Sequence, residues 1–164
     1  MTLFRPLLAL ILLSGVAHAA TYKDPSGTFS ATVPAGWQQG SYPGTAVVFA
    51  GKREGDFTSN INVIVQPVPA GMTQAQYHAL NVKQIGQLIT DGKILKNQAA
   101  TLGGVKGNRL VYTGRQGQYK LYFIATYAVK GNRVYMVTAT SRQGQEAKLA
   151  PVNDAFIKSF KVLK

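Results

Sequence analysis

Apolar residues recur mostly at every second position along this chain, in short runs punctuated by glycine. That periodicity predicts strands, and it gives way to helical spacing in two places only. Thr28 to Val33 alternates, and Pro34-Ala35-Gly36 then turns the chain ahead of Trp37. Thr45 to Lys52 and Ile61 to Val68 read as Val/Ile-rich strands joined by a polar loop, Arg53 to Asn60. From Thr73 to Thr90, Tyr77, Leu80, Val82, Ile85, Leu88 and Ile89 share one arc, and Gln76, Lys83 and Gln87 oppose it. This predicts an amphipathic helix capped by Thr73, with Gln76 in the third position of a capping box. Asp91-Gly92 is expected to end it.

Four strands are predicted next: Lys93 to Leu102, Lys106 to Arg115, Tyr119 to Lys130 and Arg133 to Arg142. Gly131-Asn132 reads as a two-residue hairpin in which both residues take positive φ. Leu121 to Ala125 is apolar at both parities, which predicts a strand covered on both faces. Pro151 suits the first turn of a helix carrying Val152, Ala155, Phe156 and Ser159 on one stripe. A separate turn over Gln145 to Ala150 precedes it, and Phe160 to Leu163 returns to the sheet. Val105 to Tyr112 nearly repeats Val129 to Tyr135, which we read as two strand starts sharing one turn chemistry. The fold class is α+β, a central, mainly antiparallel sheet with helices on both faces.

Met1 to Ala19 changes the picture of where this happens. One positive charge, the apolar run Leu7 to Leu13 and the small-x-small end Ala17-His18-Ala19 form a secretory signal peptide pattern. Residues 20–164 then form a single extracytoplasmic domain, secreted or periplasmic. The full 164-residue chain contains no Cys, which excludes disulfides, thiolate metal sites and a Cys nucleophile. Chemistry is sparse elsewhere too. No nucleotide-binding, hydrolase or zinc-protease string occurs. His78 is the only histidine after the leader and falls on the apolar arc of the first helix, as a core-edge residue. Glu54 and Asp56 are the only close acid pair, and with Thr58, Ser59, Asn60 and Asn62 their spacing matches no calcium loop. No catalytic residue, metal or cofactor is assigned.

Charge is the strongest signal. The chain carries 18 Lys+Arg against 6 Asp+Glu, a net +12, of which Arg5 belongs to the leader. Gly92 to Gln145 contains no acid at all, but nine bases and five tyrosines. Such a field attracts anionic partners. The tyrosines alternate within apolar strands and so read as sheet packing, which with secretion argues against nucleic acid. Charges beside turns lie at sheet ends, where a partner can reach them. The expected anion-binding residues are therefore Lys106, Arg109, Lys130 and Arg133, with Lys120. Whether turn placement joins them in one patch is left to the fold.

Phe29-Ser30-Ala31-Thr32-Val33-Pro34-Ala35-Gly36-Trp37 resembles the PsbP-type proteins, a group spanning the extrinsic lumenal proteins of photosystem II and DcrB-like bacterial envelope proteins. Asn60 to Val63, Gly131 to Ala139 and Ser159-Phe160 follow in the expected order. The resemblance implies an α/β/α sandwich acting as a binding or assembly module without catalysis. Trp37 would close one end of the core. The chain departs from plant members in lacking a long extension before Tyr22, and from many bacterial relatives in lacking an acylated Cys, so no photosynthetic role is carried over. The expected function is a non-enzymatic extracytoplasmic module docking an anionic protein or envelope component through a basic surface. Two alternatives stand beside it: a small periplasmic enzyme or metal-binding protein around Glu54, Asp56 and His78, and a polyanion or nucleic-acid binder.

Overall fold

The structure, a computed structural model, describes residues 20–164. The leader sequence lies outside the described residues. Ten strands and two helices follow in chain order: β1 (Thr21–Lys23), β2 (Phe29–Thr32), β3 (Gln38–Gly40), β4 (Val47–Glu54), β5 (Phe57–Pro67), α1 (Gln74–Leu88), β6 (Thr90–Leu102), β7 (Val105–Gln116), β8 (Tyr119–Lys130), β9 (Arg133–Arg142), α2 (Glu146–Ser159) and β10 (Lys161–Val162). Seven strands pair antiparallel in the order β3-β4-β5-β9-β8-β7-β6, and β1-β2-β10 forms a small second sheet. The protein is an α+β fold, mostly antiparallel sheet.

Alternation along β8 distributes the core. Ile124 and Ala128 join a cluster with Leu149 and Phe156 of α2 and with Phe29, Phe49, Val63 and Phe160. Ala125 and Tyr127 join another with Tyr77 and Ile85 of α1 and with Leu110 and Val134. Successive strand residues point to opposite faces, so β8 serves both clusters. Aromatic pairs stitch each one. Phe29 stacks on Phe160 at 5.1 Å between ring centroids, and Tyr77 meets Tyr127 edge-on at 5.6 Å.

Several expectations are corrected. The segment Arg53 to Asn60 is no loop: Glu54 pairs with Phe57 around Gly55-Asp56, and the strands continue. Along β5, Thr58, Asn60 and Asn62 alternate with Ser59, Ile61 and Val63, and of these Ile61 and Val63 reach the core. α1 has the expected capping box, Thr73 Oγ1 accepting from the Gln76 amide at 3.2 Å. It ends at Leu88, however, and Asp91-Gly92 falls inside a bulge at the start of β6, with Asp91 at φ +54. Leu80 and Leu88 point outward, leaving Tyr77 and Ile85 as its buried residues. Pro151 lies within α2 rather than opening it. The bond it cannot donate belongs to the Ala147 carbonyl, and both residues are exposed, so water can satisfy that group. Ala155 is also exposed, and the buried stripe runs Leu149, Asn153, Phe156.

The near-repeat has two different causes. Gly131 takes φ +61 in the β8–β9 turn, while Asn132 keeps negative φ. Gly107 is instead a strand residue paired with Ala100, and the turn before its strand is Gly103-Gly104. Next to Gly107 the β7–β8 pairing ends at Asn108 and Tyr127. The Gln74 side chain bridges the two strands there, accepting from the Val129 amide at 2.7 Å and donating to Asn108 at 2.8 Å.

Candidate docking surface

In an antiparallel array the start of β7, the end of β8 and the start of β9 lie at the same end of the sheet. Lys106, Lys130 and Arg133 are all exposed there. Lys130 is paired directly with Arg133, and like charges facing across a ladder cost stability. The C-terminal strand adds two cations. The backbone of Lys161 and Val162 packs against the Gly103 turn. Tyr135 donates its hydroxyl proton to the Lys164 carbonyl at 2.7 Å, and Lys164 Nζ donates to the Ser26 carbonyl at 3.2 Å. Arg133 and Ser26 line the same shallow cleft of about 210 Å³, and Lys164 reaches the Ser26 side of it. Asp24 also lines it, but its carboxylate accepts from the amide and hydroxyl of Thr28 at 3.2 and 2.6 Å.

Two expected site residues sit elsewhere. Arg109 is part-buried and forms an ion pair at 2.8 Å with Asp154, tying β7 to α2. Lys120 is at the opposite end of β8, in a cleft of about 350 Å³ with Asp56, Gln118, Tyr119, Arg142 and Gln143. The first end stands out by clustering, since cations elsewhere such as Lys52, Lys83 and Lys120 also lack an acid partner among the described residues. Glu54, Asp56, Asp91 and Asp154 pair with Lys148, Arg142, Arg115 and Arg109. Asp24 holds Thr28, and Glu146 accepts from the Gly144 amide. No acid among the described residues forms an ion pair with Lys106, Lys130, Arg133, Lys161 or Lys164, and Asp24, held by Thr28, is the acid that shares a cleft with Arg133. Reasoning from sequence missed Lys161 and Lys164, although the absence of any acid after Asp154 was a usable signal.

The opposite end is a clamp. Arg142 reaches across to Asp56, with its guanidinium over the rings of Phe57 and Tyr119 at 5.7 and 5.2 Å. The Tyr119 hydroxyl also donates to Asp56 at 3.1 Å. Desolvation pushes the Asp56 carboxyl up. Its own backbone hydrogen bond, Tyr119 and Arg142 together outweigh that push and hold it below its ordinary value. A depressed folded-state pKa contributes stability above the unfolded value, lost as pH falls through the folded one. We therefore expect the Asp56 carboxyl, followed by carbon-detected NMR, to titrate below pH 3.8 in the wild type and to move back up in Arg142→Gln.

His78 shares a 2.7 Å hydrogen bond with the Tyr127 hydroxyl, on the α1 side of the sheet. Burial first, then Tyr77 and Tyr112, raise the Tyr127 pKa, and burial pushes Tyr112 up to about 12. Both phenols stay protonated at neutral pH. Glu54 and Asp56 turn to Lys148 and Arg142, so the three residues of the enzyme alternative do not converge. No group of three His, Asp or Glu among the described residues could hold a metal ion. Trp37 is half-buried and packs against the α2 cluster, between clefts of about 230 and 370 Å³.

The fold and this arrangement can be set against known proteins. A protein-family model, PsbP, matches residues 17–162. The chain belongs to the PsbP family. The solution structure of cyanobacterial PsbP from Synechocystis sp. PCC 6803 superposes with a TM-score of 0.64 at 20% identity, over 90% of this chain and 95% of that one. LpqN, involved in cell envelope biogenesis of Mycobacterium tuberculosis, superposes with a TM-score of 0.68 at 11% identity, over 92% and 88%. At these identities the likenesses establish the PsbP fold. No curated protein sequence matches the chain. No helix among the described residues is long and apolar enough to cross a membrane.

Proposed function

We propose that this PsbP-family protein is a non-enzymatic extracytoplasmic docking or assembly module that engages an anionic partner through one end of its sheet. The observation that carries this reading is the charge census. Four of the six acids among the described residues are ion-paired elsewhere, while Lys106, Lys130, Arg133, Lys161 and Lys164 cluster at one end with no ion pair. An uncompensated cluster is a standing cost to the folded state, which a partner's negative charge offsets. The division of β8 between two clusters supports the finer architecture, an α/β/α sandwich with α1 on one face and α2 on the other. That scaffold covers part of each sheet face with a helix and leaves the sheet ends open to a partner. Export follows from the leader pattern, with residues 20–164 as one domain, and the cell-envelope role of LpqN is in keeping with it.

The test is a pull-down from envelope extract with wild-type protein and with Lys106→Gln/Lys130→Gln/Arg133→Gln. We expect capture of a partner at low salt, weakened several-fold in the variant. The difference should close towards 1 M salt, where the Debye length is about 3 Å. Equal capture by wild type and folded variant at low salt overturns the reading.

A further inference from the structure

We infer that the surface this basic end recognises is an anionic lipid bilayer, an assignment that rests on the docking surface proposed above and names its partner. Val162 packs inward against the core, so alternation along the terminal strand turns Lys161 and Leu163 outward together. Leu163 is 50% exposed, an aliphatic side chain on the outward side with Lys161. In the small sheet Lys23 and Lys161 both pair with Ser30, which places one further cation, Lys23, in a row with Lys161. An exposed apolar side chain among cations matches a leaflet. The cations meet phosphate headgroups, and the leucine enters the acyl boundary.

The other anionic partners fit the chemistry less well. Single-stranded nucleic acid needs exposed aromatic rings for stacking, and Tyr127 and Tyr135 beside this end are fully buried. Protein interfaces concentrate binding in aromatic and Arg anchors, whereas this end offers one Arg among lysines. Lysines are compact point charges on flexible stems, suited to a mobile field of headgroups rather than to a fixed carboxylate fork.

The experiment is co-sedimentation of the purified protein with vesicles of 70:30 phosphatidylcholine:phosphatidylglycerol and with vesicles of phosphatidylcholine alone. Binding is expected on the first and not on the second. Each basic residue near an anionic leaflet is worth up to about fivefold in partition. The variant Lys130→Gln/Arg133→Gln/Lys161→Gln/Lys164→Gln should therefore lose at least ~10-fold. A matched variant away from this end, Lys52→Gln/Lys83→Gln/Lys93→Gln/Lys96→Gln, should retain binding within about twofold. Leu163→Ser should weaken binding with the salt dependence unchanged, because it removes insertion and not charge. Absence of binding to the anionic vesicles, or equal loss in the two quadruple variants, overturns the lipid assignment. Salt-sensitive capture from envelope extract without vesicle binding overturns that assignment alone. Failure in both experiments removes the docking surface itself.

Discussion

Gly107→Ala is expected to destabilise the protein by about 3 kcal/mol, the upper end of the cost of overpacking. A Cβ at this position would lie 2.0 Å from the Tyr127 carbonyl oxygen and 3.0 Å from the Ala128 Cβ. The nearest atom is backbone, so no rotamer change relieves the clash. The strand must move, and the Gln74 bridge to Val129 and Asn108 moves with it. Gly131→Ala is the control. Its φ of +61 strains any L side chain, but nothing lies within 4 Å, so the cost should be about 1–2 kcal/mol. Urea unfolding followed by far-UV circular dichroism measures both. A Gly107→Ala midpoint equal to wild type would refute the close approach.

Phe156→Ala should cost about 3–5 kcal/mol, a large part of a typical domain's stability. Phe156 is 2% exposed and packs against Phe49 and Phe160 at 5.6 and 6.3 Å. Phe160 in turn stacks on Phe29 of the small sheet. Removing the ring therefore loosens α2 from the large sheet and the small sheet from both. The same unfolding assay reads it, with protein concentration held constant. Trp37→Ala should cost less than Phe156→Ala, because the indole is already half in water. Equal losses would mean that Trp37 closes the core as its motif implies.

The long hairpins were legible because each strand carries its own signal. Tyr119–Lys130 and Arg133–Arg142 are apolar runs rich in aromatic and β-branched residues, bounded by glycine turns, and the structure ends both strands at those turns. Signals that depend on a neighbour were not legible. Periodicity placed Leu80 and Leu88 on the buried arc of α1, but α1 packs mainly over β6 and β8, and that width covers Tyr77 and Ile85. Polarity made Arg53 to Asn60 look like a loop, because a strand with one face uncovered can keep Thr58 and Asn60 in water.

The candidate surface divides in the same way. An acid-free stretch is a property of composition, and local turn chemistry puts Lys130 and Arg133 beside Gly131-Asn132. Nothing in their order along the chain says that Arg109 meets Asp154, 45 residues on, or that Arg142 crosses 86 residues to Asp56. Nor does it say that Lys161 and Lys164 arrive beside Arg133. By itself the sequence determined the strand periods, the helix cap, the excess of positive charge and the family. Those follow from local geometry and from counting. Only the tertiary structure decided which cations keep their charge for a partner, because ion pairing depends on which strand ends the antiparallel order brings together.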